Sequence, residues 1–237
     1  RYGYKFIKKY YSRADDVVFQ TNDAKAAYPD KVSSKGTVIF NPIKPDLPEV
    51  YSGIRSKKIV NFCRISAQKN LAMLVDAFAE FREEFPEYEL DIIGDPVGNG
   101  VEGYLDSVNE RIRYHHLENS IHILPARSDI HDYIKDYAMF VSSSDYEGMS
   151  NSMLEAMAMG LPSICTDCPA GGARAVIKDG ENGLLTPVGD AHALSDAMKK
   201  VASDPSLADK LSKNSVKIRE EQSVEKIIKE WMDLING

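Results

Sequence analysis

From residue 58 onward, apolar residues follow two alternating patterns. Short apolar runs at 58–62, 90–94, 121–124, 138–142, 162–166 and 183–186 have strand length. Between them, apolar residues recur every three or four positions at 70–85, 101–115, 129–137, 152–159, 173–178 and 191–202, which is the period of a helix with one buried face. The strand runs are mostly apolar and do not alternate strictly with polar residues, as expected where both faces are buried. Strands separated by helix-length crossovers pair in parallel. The pattern therefore predicts an α/β domain with a doubly wound, Rossmann-like parallel six-stranded sheet, whose ligands gather beyond the carboxyl ends of the strands.

Ahead of this repeat the pattern is less regular. Residues 1–13 read as a helix, 16–20 and 37–40 as strands, and Thr21-Asn22-Asp23 as a turn or helix cap. Pro42, Pro45, Pro48 and Gly53 form the densest cluster of breakers in the chain and mark a linker. The division expected is residues 1–50, a short N-terminal segment with its linker, and residues 51–237, the sheet domain with its C-terminal helices. Two helices are expected to close the chain. The last carries Val224, Ile227, Ile228, Trp231, Leu234 and Ile235 at helical spacing, so Trp231 is expected to pack against something apolar.

Composition narrows the functional classes. The 237 residues are 43% hydrophobic and 27% charged, as in a globular protein with a substantial core, and no apolar run reaches the ~18 residues of a membrane-spanning helix. A formal net charge of −7 disfavours nucleic acid as a partner. The opening residues differ: Arg1, Lys5, Lys8, Lys9 and Arg13 interleave with Tyr2, Tyr4, Phe6, Ile7, Tyr10 and Tyr11. Such a segment is either a solvated helix with one packed face or a peripheral contact with an anionic membrane surface. Three cysteines, Cys63, Cys165 and Cys168, are too few for a secreted disulfide framework. The Cys165/Cys168 pair lacks a second pair for zinc and reads as structural, and none of the five histidines has a carboxylate or cysteine at metal-ligand spacing, so no metal is expected.

Two stretches carry candidate chemistry. Arg64 and Lys69 lie where the first sheet strand runs out towards a helix, and cations there suit a diphosphate; they are also compatible with ordinary surface charge. Glu147 and Glu155 flank a strand-to-helix loop, Gly148-Met149-Ser150-Asn151-Ser152-Met153, where glycine permits close approach of backbone to a ligand. Ser152-x-x-Glu155 also satisfies the capping-box pattern, which would occupy Glu155 with its own helix.

The spacing of Glu147 and Glu155 resembles the E-x7-E motif of the retaining, family 4-type glycosyltransferases of the GT-B fold. YEGMSNSMLEAMAMGLPSICTDCPAGG is similar to that family's most recognisable block, NFCRISAQKN to its diphosphate loop, LDIIGD to its second strand and KDGENGLLTPVGD to its last strand and turn. ADDVVFQTNDA and VIFNPI resemble the end of the N-terminal domain. The resemblance implies the C-terminal, donor-binding half of a GT-B enzyme plus a short remnant of the N-terminal half, and hence a fragment that binds donor but transfers little sugar alone.

Carried onto this chain, the resemblance implies that Arg64 and Lys69 bind the donor diphosphate and that Glu155 meets the ribose hydroxyls. It implies that Glu147, with Gly148, Met149, Ser150 and Asn151, holds the transferred sugar. The N–H groups of Ser152 and Met153 would meet phosphate, and Ala126 and Arg127 would flank the base. The donor implied is a nucleotide sugar, with a UDP-sugar favoured, used without a metal or other cofactor. The acceptor is a glycan or a lipid-linked glycan, glycosylated with retention of configuration. The setting implied is the bacterial cytoplasm, or the inner membrane face reached through the basic N-terminal segment. Two positions depart from the family: Cys63 stands where glycine is usual, and Ala173 and Ala175 replace a proline and an acidic residue. A noncatalytic nucleotide-sugar-binding module on the same scaffold, and another GT-B enzyme such as a sugar-nucleotide epimerase, are the alternatives.

Overall fold

In a computed structural model, residues 10–98 and 101–237 are described, with the side chains of residues 101 and 102 left aside. The basic, aromatic opening therefore lies mostly outside the described residues. Strands β3 (Lys58–Phe62), β4 (Glu89–Ile93), β5 (Ile121–Leu124), β6 (Met139–Ser142), β7 (Ser163–Thr166) and β8 (Leu184–Thr186) form one parallel sheet in the order β5-β4-β3-β6-β7-β8. Every strand predicted from the apolar runs is present. Two shorter strands, β1 (Val17–Phe19) and β2 (Gly36–Val38), pair in parallel as a separate sheet. Helices α1 (Asn22–Ala26) and α2 (Asp30–Ser33) lie between them in sequence, and the Thr21 hydroxyl caps α1 by accepting from Ala24 N–H at 2.9 Å.

Both faces of the large sheet are covered because successive strand residues point to opposite sides. Ile59, Leu90, Ile92, Met139, Val141 and Ile164 pack beneath α3 (Leu71–Arg82), α4 (Val101–Tyr114) and α8 (Ala191–Ser203). Val60, Phe62, Ile93, Phe140 and Cys165 pack on the other side with α5 (Ile130–Ile134), α6 (Asn151–Ala158), α7 (Gly172–Val176) and α10 (Ile218–Glu221). Burying each large side chain contributes about 1.5–3 kcal/mol, which overrides the modest β propensity of runs as short as four residues.

Two sequence expectations change. Three helices rather than two follow α8: α9 (Pro205–Ser215), α10 and α11 (Val224–Asn236). On α11 only Ile227 is buried, whereas Ile228, Trp231, Met232 and Ile235 are between 43% and 71% exposed. The apolar stripe is real, but within the described residues nothing covers Trp231.

The linker expected from its prolines has no regular structure, yet it is pinned. Arg219 donates to the carbonyls of Pro48 and Ala158, and Arg55 donates to those of Gly160 at 2.7 Å and Tyr137 at 3.0 Å. One close approach tightens the sheet edge that carries the site: a Cβ built on Gly94 would stand 1.7 Å from the Cys63 carbonyl oxygen. Gly94→Ala is expected to cost about 2–4 kcal/mol of stability in a denaturant titration, because β3 and β4 must part to admit the methyl group. A loss below about 0.5 kcal/mol would show that the two strand ends separate freely.

Candidate functional site

The sheet order reverses direction at β3, whose neighbours are β4 and β6. The connections leaving β3 and β6 therefore part to opposite faces and leave a crevice between them. Both candidate stretches leave these two strands, and polar contacts stitch them together. Ser143 Oγ donates to the Lys69 carbonyl at 2.8 Å, Asp145 N–H to the Gln68 carbonyl at 2.9 Å, Gln68 Nε2 to the Tyr146 carbonyl at 2.7 Å, and Asn70 Nδ2 to Asp145 Oδ1 at 2.7 Å.

The helix expected from residue 70 is preceded by a 3-10 turn over Ala67–Lys69. Asn70 then takes a left-handed conformation, φ 44°, which asparagine tolerates better than most residues, and its side chain caps α3. The turn sends the Lys69 side chain inward, where its ammonium donates to Glu147 Oε2. These two side chains are only 11% and 20% exposed, so the pair is largely shielded from water. Arg64 is different: it is exposed and has no ion-pair partner among the described residues. It borders a cleft of about 330 Å³ together with Gly94, Asp95, Ala126, Arg127, Ile130 and Ser152. Asp95 Oδ1 accepts from Ala126 N–H at 3.1 Å, which fixes the Ala126-Arg127 turn to the end of β4.

The Glu147–Met153 loop is more constrained than its sequence indicates. Helix α6 begins at Asn151 and its cap is Ser150, whose hydroxyl accepts from Met153 N–H at a long 3.4 Å. The capping box expected from Ser152 and Glu155 does not form. Glu155 instead meets His131 on α5, with Nε2 2.9 Å from Oε2, and it borders a second concavity of about 230 Å³ with Pro42, Pro45, Asn151 and Val224. Arg64 and Ser152 thus share one cleft, while Glu155 faces the neighbouring one.

Two residues outside the large sheet reach this loop, and sequence reasoning missed both. Gln20 follows β1, and its Oε1 lies 3.5 Å from Met149 N. Asn41 follows β2 and donates from Nδ2 to Asn151 Oδ1 at 2.9 Å, while its own Oδ1 accepts from Gln20 Nε2 at 2.7 Å. On the loop's other side a Cβ on Gly172 would stand 1.7 Å from the Gly148 carbonyl oxygen, so only glycine fits where the Gly171-Gly172 turn presses on it. The amides of Gln20 and Asn41 carry no motif, and only the folded chain brings them to Met149 and Asn151.

The histidine expectation is also corrected. His131, His115, His122 and His192 each meet a carboxylate in space, although none does so at local sequence spacing except His192 with Asp196. Glu80, His192 and Asp196 place ligand atoms within 4.8 Å of one another, but Lys199 Nζ already stands 3.5 Å from Glu80 as the positive partner. All three cysteines are free thiols. Burial pushes the Cys63 thiol up to about 11, against the opposing pull of the Lys69 charge. Burial raises Cys165 and Cys168 as well.

A sequence profile described as "Glycosyl transferases group 1" matches residues 52–218. The chain is 27% identical to an uncharacterized glycosyltransferase of Methanocaldococcus jannaschii, over 99% of this chain and 66% of that protein. It is also 27% identical to a poly(glycerol-phosphate) alpha-glucosyltransferase of Bacillus subtilis, over 100% of this chain and 34% of that one. Among solved structures, Anabaena HepE in complex with UDP and glucose matches at TM-score 0.89 and 20% identity, covering 98% of this chain and 66% of that chain. S. aureus TarM in a complex that includes UDP matches at TM-score 0.86 and 20% identity, covering 100% and 47%. The chain spans about one third to two thirds of the length of the curated relatives it matches first.

Removing either partner of the Lys69–Glu147 pair leaves a shielded charge alone. A double-mutant cycle with Lys69→Met and Glu147→Gln is expected to give a coupling of about 1–3 kcal/mol in urea unfolding; additivity within about 0.3 kcal/mol would mean the pair is loose. The raised Cys63 pKa keeps the reactive thiolate scarce below pH 11. At pH 8 its alkylation by iodoacetamide, read by peptide mapping, should be about a hundredfold slower than that of a free thiol of pKa 9, rising about tenfold per pH unit. A rate near the free-thiol value at pH 8 would contradict this environment.

Proposed function

Because the chain belongs to the glycosyl transferases group 1 family, on a Rossmann-like fold of GT-B type, we propose that it is the donor-binding part of a retaining glycosyltransferase. The donor is a nucleotide sugar, a UDP-hexose or UDP-N-acetylhexosamine, and the acceptor is a glycan or lipid-linked glycan. The observation that carries the reading is the crevice between β3 and β6, where stitched loops hold Lys69 against Glu147 and the same β3 loop carries Arg64, exposed and without an ion-pair partner among the described residues. The relatives add support for the substrate classes. HepE, TarM and the pneumococcal GtfA were solved with UDP. A Campylobacter jejuni relative, 29% identical over 70% of this chain, acts on a diphospho-undecaprenol glycan.

Chemically, departure of a nucleoside diphosphate places new negative charge on its terminal phosphate. Arg64 supplies a guanidinium for that charge, and Lys69 supplies an ammonium on moving part-way from Glu147, so both gain attraction as the bond breaks. Glu147, thereby released, contacts a sugar hydroxyl and offsets positive charge at the reacting carbon. The acceptor attacks from the face the diphosphate leaves, with the diphosphate as the base, which retains configuration without a covalent sugar–enzyme intermediate. The guanidinium and ammonium take the place of a divalent cation, and the reaction is proposed to proceed without one. The Gly148–Asn151 backbone, held by Gln20 and Asn41, then forms the wall beside the sugar.

Calorimetry of the chain with UDP, GDP and ADP tests the donor site. UDP is expected to bind, Arg64→Gln to weaken it by about 1.5–3 kcal/mol, and sugar transfer by this chain alone to be far below that of its full-length parent. Absence of binding by all three nucleotides would overturn the proposal, and full-rate transfer by the chain alone would overturn its assignment as the donor half.

A further inference from the structure

His131 is buried, with 9% of its surface exposed, although it belongs to a helix of only five residues. Two contacts fix its ring. It stands edge-on to Phe62, with centroids 6.4 Å apart and planes at 89°, and its Nε2 lies 2.9 Å from Glu155 Oε2. Phe62 is the last residue of β3, immediately before Cys63 and Arg64. The imidazole is thus wedged between the strand that feeds the cation loop and the helix that carries Glu155. A carboxylate only accepts hydrogen bonds, so Nε2 must carry the proton and donate it.

The same short helix holds the turn on its other side. Asp129, its cap residue, accepts from Arg127 at 2.8 and 2.9 Å, and the Arg127 guanidinium lies 3.7 Å from the centre of the Tyr133 ring. One element therefore sets both the Ala126-Arg127 turn and the carboxylate of Glu155. The histidine engages a single oxygen of that carboxylate. The Glu155 side chain is 22% exposed against 11% for His131, so the carboxylate reaches open space while the imidazole stays behind it. A free glutamate on a helix samples several rotamers, and ordering one costs entropy that a prior hydrogen bond removes from the binding step.

We propose that His131 is a positioning residue that holds Glu155 in the rotamer which presents its second oxygen to the ribose hydroxyls of the nucleoside diphosphate. The inference rests on the ribose contact expected of Glu155 and extends it to a residue that no motif marks. A purely architectural role, tying α5 to α6, would affect the binding of all nucleotides alike or stability alone. Orientation of a ribose ligand affects only nucleotides that carry the hydroxyls.

The test is calorimetry of the chain with UDP and with 2′,3′-dideoxyuridine diphosphate. In the unaltered chain UDP should bind more tightly by about 5- to 20-fold. His131→Phe keeps an aromatic ring against Phe62 and removes the donor; it should bring that ratio to within about twofold of unity while leaving the dideoxy affinity within about twofold. His131→Gln, which keeps an N–H donor, should restore at least half of the lost discrimination on a logarithmic scale and serves if the phenylalanine variant does not fold. An undiminished ratio in His131→Phe, or a lost ratio of which His131→Gln restores nothing, overturns the proposal, whatever happens to the melting temperature. Glu155→Ala separates the two levels. A ratio unchanged there overturns the ribose assignment itself, whereas a ratio lost in Glu155→Ala but kept in His131→Phe overturns only the role of His131.

Discussion

The adjacency of β3 and β6 at the centre of the sheet is the constraint on which the rest depends. Parallel strands send all of their outgoing loops to one edge, and the reversal of order at β3 makes the two central loops diverge around a crevice. Adjacency alone would leave those loops free to drift. The bonds from Ser143, Asp145, Gln68 and Asn70 lock them in register, and the 3-10 turn over Ala67–Lys69 aims the lysine across the gap at Glu147. The space beside Glu147, Gly148, Ser150, Met153 and Thr166 is about 10 Å³, too small for a sugar. In the proposed reading, a diphosphate that competes for Lys69 releases Glu147 from its partner at the same time.

Around that pair, short elements impose precision that long helices do not. The five-residue α5 holds Arg127 by its cap and Glu155 through His131, and the small β1–β2 sheet reaches across with Gln20 and Asn41 to hold Met149 and Asn151. Thr21 adds a bond to the Ala170 carbonyl, and Arg174 reaches Asp23 at 3.1 Å. The loop between Glu147 and Asn151 is thus gripped from both sides. Movement of the β1–β2 segment would alter the backbone groups of this loop.

The sheet was legible in the chain because its signal is local: six short, mostly apolar runs separated by helical periods leave little choice of architecture. The placement of Glu147, Arg64 and Lys69 beyond the ends of two central strands was also legible, since each lies in a stretch where an apolar run gives way to a loop. What escaped has no local signature. Ser150, rather than Ser152, caps α6, and this two-residue shift of the cap removed the capping box that Ser152-x-x-Glu155 spelled out. His131 lies 24 positions from Glu155, and Asn41 lies 110 from Asn151, so periodicity cannot reveal either pair. The stripe on α11 was read correctly as amphipathic, yet Trp231 remains exposed because a period reports a face and not what covers it.

A concavity of about 810 Å³ lies away from this crevice and is lined by Arg174, Lys178, Lys210, Lys217 and Lys226 together with Glu181, Glu221 and Glu230, and its basic residues offer an anion a second place to bind. Amide chemical-shift mapping during titration of the isotopically labelled chain with UDP decides between the two places most directly. The largest shifts are expected at residues 63–70, 94–96, 125–131 and 145–155, with Lys69 and Glu147 among them. Shifts concentrated around Lys178, Lys210 and Lys226, with the crevice between β3 and β6 unmoved, would contradict that expectation.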